Sequence, residues 1–146
     1  MFGDFLRRLT DPQPETLGDH DARLALGALM VRIARADNVY TTGEKRRIDR
    51  IIAARYGLDD AAAGELRAEA EVLESEAPDT VRFTSAIKAA VPYEDRLGVV
   101  EALWQVVLAD GSRAQEEDAV LRMASHFLGI SDRDSALIRQ RVENQR

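Results

Sequence analysis

The sequence contains no cysteine among its 146 residues. Disulfide bonds are therefore excluded, and so are zinc sites built on thiolate ligands. A chain without cysteine suits a reducing compartment, and we expect a cytoplasmic location. Basic residues are outnumbered by acidic ones, 20 against 26, which gives a net charge of −6. This balance argues against a nucleic-acid-binding protein, because such a protein presents a net basic face.

Long apolar runs are absent as well, and we expect that the N-terminal segment is not a secretion signal. No run approaches the roughly 18 apolar residues of a membrane-spanning helix, so we expect no direct membrane insertion. The opening sequence, MFGDFLRRLT, has arginines after its apolar residues and no small-residue cleavage site. We interpret residues 1–21 as a short amphipathic helix and a linker containing Pro12 and Pro14, and residues 22–146 as one domain.

The motifs of common catalytic and nucleotide-binding sites are also missing. The chain has no G-x-S-x-G, no P-loop and no G-x-G-x-x-G sequence. Ser125 and His126 cannot form a nucleophile–base pair on a helix, because adjacent residues point apart. We therefore expect that the protein is not an enzyme.

Apolar residues make up 45% of the chain and recur at helical spacing, while no segment alternates with the period of two that strands require. This pattern predicts a single all-α domain of six or seven helices. The segments 24–36 and 95–109 are apolar on most sides, which indicates two central helices. Trp104, the only tryptophan, is expected in the core of the second.

An internal duplication relates residues 26–58 to residues 97–129. Asp37 corresponds to Asp110 and Glu44 to Glu117, so the step from Asp to Glu is seven residues in both copies. We expect two repeats, at about 24–76 and 95–143, packed around a pseudo-twofold axis. In each repeat an apolar helix ends at a corner, and an amphipathic helix follows.

The two Asp–Glu corners are candidate divalent-cation sites, with Asp37, Glu44, Asp110 and Glu117 as ligands. Because an Asp near a helix C-terminus faces the negative end of the helix dipole, something should compensate it. The compensation could be local hydrogen bonding by the following turn, or a bound cation. Carboxylate and backbone oxygens would favour calcium or magnesium. The spacing does not fit an EF-hand.

The residues around each corner leave both explanations open. Asn38 and Gly111 are expected to shape the two loops, since both residue types tolerate left-handed backbone. Thr41 and Glu44 form a capping box, which would explain Glu44 without an ion. The position that matches Thr41 in the second copy is Ala114, so the same explanation does not transfer, but Ser112 and Gln115 could cap the second copy instead.

Two oppositely charged helix faces are candidate surfaces for a protein partner. The basic face includes Arg46 and Arg47, and the acidic face includes Glu71 and Glu74. Such faces are usually just solvated, and if these two were neighbours they could also neutralise each other within the fold.

With its duplicated Ala36-Asp37-Asn38 and Ala109-Asp110-Gly111 corners, each followed by a Glu, the chain resembles the bacterial tellurite-resistance TerB family over residues 22–142. The resemblance implies an acidic helical module of the tellurite or chemical-stress response. It also implies metal ions and a protein partner, with a membrane protein of the same system as one candidate. The alternative is a structural interaction domain, scaffold or co-chaperone-like, that has no ion site.

Overall fold

The computed structural model describes residues 19–36, 39–76, 80–108 and 115–145, with only the backbone described for Asp19 and for residues 115–118. These residues form seven helices and no strand. The helices are α1 (Asp19–Ala34), α2 (Thr42–Tyr56), α3 (Asp60–Glu76), α4 (Val81–Ala90), α5 (Tyr93–Leu108), α6 (Gln115–Phe127) and α7 (Asp132–Asn144). The predicted single all-α domain is confirmed, while the N-terminal segment of residues 1–18 lies outside the described residues.

Helix α1 is the centre of the fold. Every residue from Leu24 to Val31 is buried, which matches a helix that is apolar on most sides. Helices α2, α3, α4, α5 and α6 all contact it. Helix α5 is the second central element and is buried along Val99, Val100 and the run from Ala102 to Trp104. Trp104 is therefore a core residue, as predicted.

The two copies of the duplicated segment end their second helix in the same way. Gly57 and Gly129 have positive φ angles of 65° and 78°, which glycine adopts without a steric cost from Cβ. The next N–H reaches back across the last turn, from Leu58 to the carbonyl of Ala53 and from Ile130 to that of Ser125, at 3.0 Å in both cases. This hydrogen bond is the mark of a Schellman motif.

The helix contacts are reciprocal between the two predicted repeats. Helix α1 contacts α2 and α3, and α5 contacts α6 and α7. Across the repeats, α1 contacts α6 while α5 contacts α2. The two pseudo-symmetric repeats and their pseudo-twofold axis stay a prediction. Among the described residues, no helix is long and apolar enough to cross a membrane.

Helices α1 and α3 approach each other closely at a glycine. A Cβ atom on Gly27 would lie 2.9 Å from the Cβ of Ala70. An alanine at this position of α1 would therefore force at least one of the two helices to move. Both contact atoms belong to rigid parts of the two helices, and a rotamer change cannot relieve the overlap. The absence of a side chain at Gly27 therefore sets the spacing between α1 and α3.

We expect Gly27→Ala to lower the free energy of unfolding by about 1–2 kcal/mol, because overpacking outweighs the gain in helix propensity. The matched control is Gly64→Ala in α3, where a Cβ would meet its nearest atom, Asp49 Oδ2, at 3.9 Å. That change should raise stability by about 0.5–1 kcal/mol. Urea denaturation of both variants measures the difference, and a stabilising Gly27→Ala would contradict the close approach.

Candidate functional site

The first corner is closed by a capping box at the start of α2. Thr41 has an extended backbone, and its Oγ1 accepts a hydrogen bond from the Glu44 N–H at 3.1 Å. In return, Glu44 Oε1 accepts the N–H of Thr41 at 3.2 Å and lies 3.2 Å from its hydroxyl. Both bonds use the same carboxylate oxygen, so the capping box that the sequence predicts does not occupy Oε2.

The structure describes Glu44 but not the other predicted corner side chains. Asp37, Asn38, Asp110 and Gly111 lie outside the described residues, as does the side chain of Glu117 on α6. In the part of the chain that is described, no three His, Asp or Glu side chains lie close enough to share a metal ion. The ion site at these corners therefore stays a prediction, and its one described ligand, Glu44, already has a capping role.

Tyr40 connects the first corner to helix α3. Its ring lies 5.8 Å from the Arg35 guanidinium carbon and 5.2 Å from Lys45 Nζ, so two cations flank it. Burial raises the pKa of the Tyr40 hydroxyl, and the neighbouring Glu71 carboxylate raises it further. The Glu71 carboxylate is close enough to act on the Tyr40 hydroxyl by hydrogen bonding and by charge, although neither the hydroxyl nor Glu71 Oε2 makes a hydrogen bond of standard geometry.

Helices α2 and α3 are joined by a partly buried guanidinium. Arg67 donates from Nε to Asp49 Oδ1 at 2.8 Å and from Nη2 to Asp49 Oδ2 at 3.4 Å. Its Nη1 donates to Glu71 Oε1 at 3.1 Å. Hydrogen bonding to Asp49 raises the pKa of Arg67, so the cation is held firmly in place. The spacing of Arg67 and Glu71 is visible in the sequence, but the contact with Asp49 depends on how α2 and α3 pack.

Glu74 pairs with Arg32 of α1 and with Arg35, which directly follows that helix. Its Oε1 accepts from Arg32 Nε and its Oε2 from Arg35 Nη1, both at 3.2 Å. Arg32 also donates to the backbone carbonyl of Glu74 at 3.1 Å and to Thr80 Oγ1 at 3.4 Å. The side chains of Glu74 and Arg32 are only 12% and 18% exposed. This pair thus ties α1, α3 and the start of α4 together.

The two predicted partner-binding faces do not neutralise each other in these contacts. Glu71 pairs with Arg67 of its own helix, and Glu74 pairs with α1. Arg46 is exposed on α2, while Arg47 is half-buried and interacts within the protein. Of the four residues, Arg46 offers the most accessible charge to a partner, and partner binding by any of them stays a prediction.

The model of a family described as tellurite resistance protein TerB matches residues 23–140. No curated protein and no solved structure matches the chain.

The internal role of Glu74 can be tested by truncation. We expect Glu74→Ala to lower the free energy of unfolding by about 2–3 kcal/mol, because the partly buried Arg32 guanidinium then loses the carboxylate that pairs with it. The loss would be larger if the guanidinium were fully buried. Glu65→Ala, an exposed position on the same helix, should change stability by less than about 0.5 kcal/mol. Equal effects of the two changes in chemical denaturation would show that Glu74 has no structural role.

Proposed function

The chain belongs to the tellurite-resistance TerB family, and we propose that it acts as a non-catalytic helical module of a chemical-stress response in the cytoplasm. In this proposal it holds divalent cations at its two Asp–Glu corners and communicates their binding to a protein partner. Asp37, Glu44, Asp110 and Glu117 are the proposed ligands.

The duplicated spacing of Asp and Glu is the observation that carries this proposal. A capping box accounts for Glu44, but the second copy has Ala114 where the first has Thr41, so capping by the same residues cannot account for Glu117. In the first copy the cap uses Glu44 Oε1. This leaves Oε2 for a cation, and a site of carboxylate and backbone oxygens suits calcium or magnesium.

We expect the two corners to differ in affinity. Arg35 and Lys45 lie close to Tyr40 beside the first corner, and positive charge there opposes a bound cation. The corresponding sequence positions in the second copy are Leu108 and Asp118, which removes one positive charge and reverses the other. The second corner should therefore bind the same cation more tightly than the first.

A second candidate is an interaction module in which the carboxylates only hold the corners. The capping box of Glu44 favours it, because the carboxylate then has a structural role without any ion. In that case replacing the aspartates would lower stability equally with and without divalent cations. The exposed basic face of α2 would then be the principal candidate for function.

Thermal unfolding with and without millimolar calcium or magnesium distinguishes the two candidates. A cation at about a hundred times its dissociation constant adds roughly 2.7 kcal/mol, which corresponds to a rise in Tm of about 5–10 °C. We expect Asp110→Asn to remove more of this rise than Asp37→Asn, and the double variant to remove it all. The matched control is Asp60→Asn, an exposed residue in the first turn of α3, which should keep the full response.

No rise with any cation in the unmodified protein would exclude the ion site. If the rise is the same in every variant, cations bind elsewhere and the corners are structural.

The partner-binding role of the basic face needs its own test. We expect Arg46→Glu to abolish capture of an acidic protein partner from a lysate, because it replaces an exposed cation on α2 with an anion. Arg133→Glu makes the same change at an exposed position of α7 and should leave capture intact. Mass spectrometry identifies the captured proteins, and an identical set from both variants would exclude this face.

A further inference from the structure

A polar cleft of about 280 Å³ lies between α6 and α7, on the opposite repeat from the first corner. Trp104 of α5 lines it, and Ser125, Ser135 and Arg139 are among the other lining residues. The space is much larger than the share of about 30 Å³ that one water molecule takes in the liquid. It can therefore accept a small molecule or ion, and it shares no residue with the Asp–Glu corners.

Helical spacing places the polar groups of the cleft on facing sides of two helices. Arg122 and Ser125 are three residues apart on α6, and Ser135 and Arg139 are four apart on α7, so each pair lies on one helix face. Contacts of α7 with α5 and α6 bring these faces together. Two arginines and two serines thus line the same cleft as Trp104.

Ser125 has a buried hydroxyl group without a hydrogen-bond partner beside the cleft. Its side chain is buried, with 4% exposure, and its Oγ makes no hydrogen bond. A buried hydroxyl without a partner is unfavourable, because it has lost its hydrogen bonds to water. The oxygen is covered in its present rotamer, and rotation of the side chain toward the cleft would let an acceptor atom of a ligand satisfy it.

Ser135 offers a second donor. Its Oγ accepts the indole N–H of Trp104 at 3.1 Å, which engages the oxygen as an acceptor. A serine hydroxyl has one O–H to donate, so the proton of Ser135 is available to a ligand. The same bond fixes the indole ring, and with it the floor of the cleft.

The charge of the cleft also favours an acceptor. Arg122 and Arg139 contribute two guanidinium groups, and Asp132, in the first turn of α7, contributes one carboxylate. The guanidinium carbon of Arg139 lies 5.9 Å from the Trp104 ring centroid. Its Nε is 3.5 Å from Glu143 Oε1 but makes no hydrogen bond of good geometry. Guanidinium groups bind oxyanions through charge-assisted hydrogen bonds.

We propose that the cleft between α6 and α7 is a binding site for a small oxyanion, which accepts hydrogen bonds from Ser125 and Ser135 and pairs with Arg122 and Arg139. Asp132 opposes the bound charge and limits the affinity. The ligand class is a compact anion with several acceptor oxygens, such as a phosphate or a carboxylate.

Trp104 makes the test direct, because it is the only tryptophan in the chain and lines the cleft. Its fluorescence is followed during titration of the full-length protein with inorganic phosphate, sulfate, acetate and tellurite. Chloride holds the ionic strength constant, so general screening does not contribute. We expect at least one oxyanion to produce a saturable change that chloride does not.

Variants then assign the binding to the cleft. Arg122→Gln and Ser125→Ala should each weaken it about 10- to 100-fold, the cost of a lost hydrogen bond to a charged group. Ser125→Ala should leave the melting temperature without ligand unchanged or higher, because it removes an unsatisfied hydroxyl. Asp132→Asn should tighten binding severalfold, since it removes a like charge. Arg133→Gln removes an exposed charge of α7 that does not line the cleft, and it should bind normally.

The proposal is overturned if no oxyanion changes the fluorescence beyond the effect of chloride. It is equally overturned if Arg122→Gln, Ser125→Ala and Arg133→Gln bind alike, since binding would then be unrelated to the cleft. A tightening by Asp132→Asn together with the two losses would establish both the location and the sign of the ligand's charge.

Discussion

Burial of helix α1 is the constraint on which the rest of this structure depends. A helix that is apolar on most sides gains stability only when other helices cover it from several directions. Five helices do so here. Gly27 lets α3 approach until a Cβ in its place would collide with Ala70, so the closest of these contacts depends on a missing side chain. The positions of α2 and α3, and therefore of the first corner between α1 and α2, follow from this packing.

Two arginines at the C-terminal end of α1 add ion pairs to this apolar packing. Arg32 and Arg35 lie at its C-terminal end, and both pair with Glu74 of α3. Positive side chains at a helix C-terminus are favourable because they face the negative end of the helix dipole. The acidic character of α3 is thus partly used inside the protein. Acidic residues of α3 that have no such partner within the protein are therefore the better candidates for a docking surface.

The two candidate sites use opposite chemistry and share no residue. The Asp–Glu corners would bind cations through carboxylates, whereas the cleft beside Trp104 offers hydroxyl and guanidinium donors. A protein with a net charge of −6 can hold an anion only where local donors outweigh the overall field. The corners are predicted from the repeated spacing of Asp and Glu in the sequence, while the cleft is inferred from the geometry of α5, α6 and α7.

The sequence by itself determined the all-α class, the central helices and the start of α2, because these follow from local rules. Helical periodicity identified α1 and α5, the Thr41–Glu44 pair started α2, and Gly57 and Gly129 ended their helices through left-handed backbone. Only the tertiary structure decided which charges meet. Asp49 with Arg67, Glu74 with Arg32, and the hydrogen bond of Trp104 to Ser135 each join separate helices, and the relative rotation and spacing of those helices is set by core packing. No spacing rule within one helix contains that information.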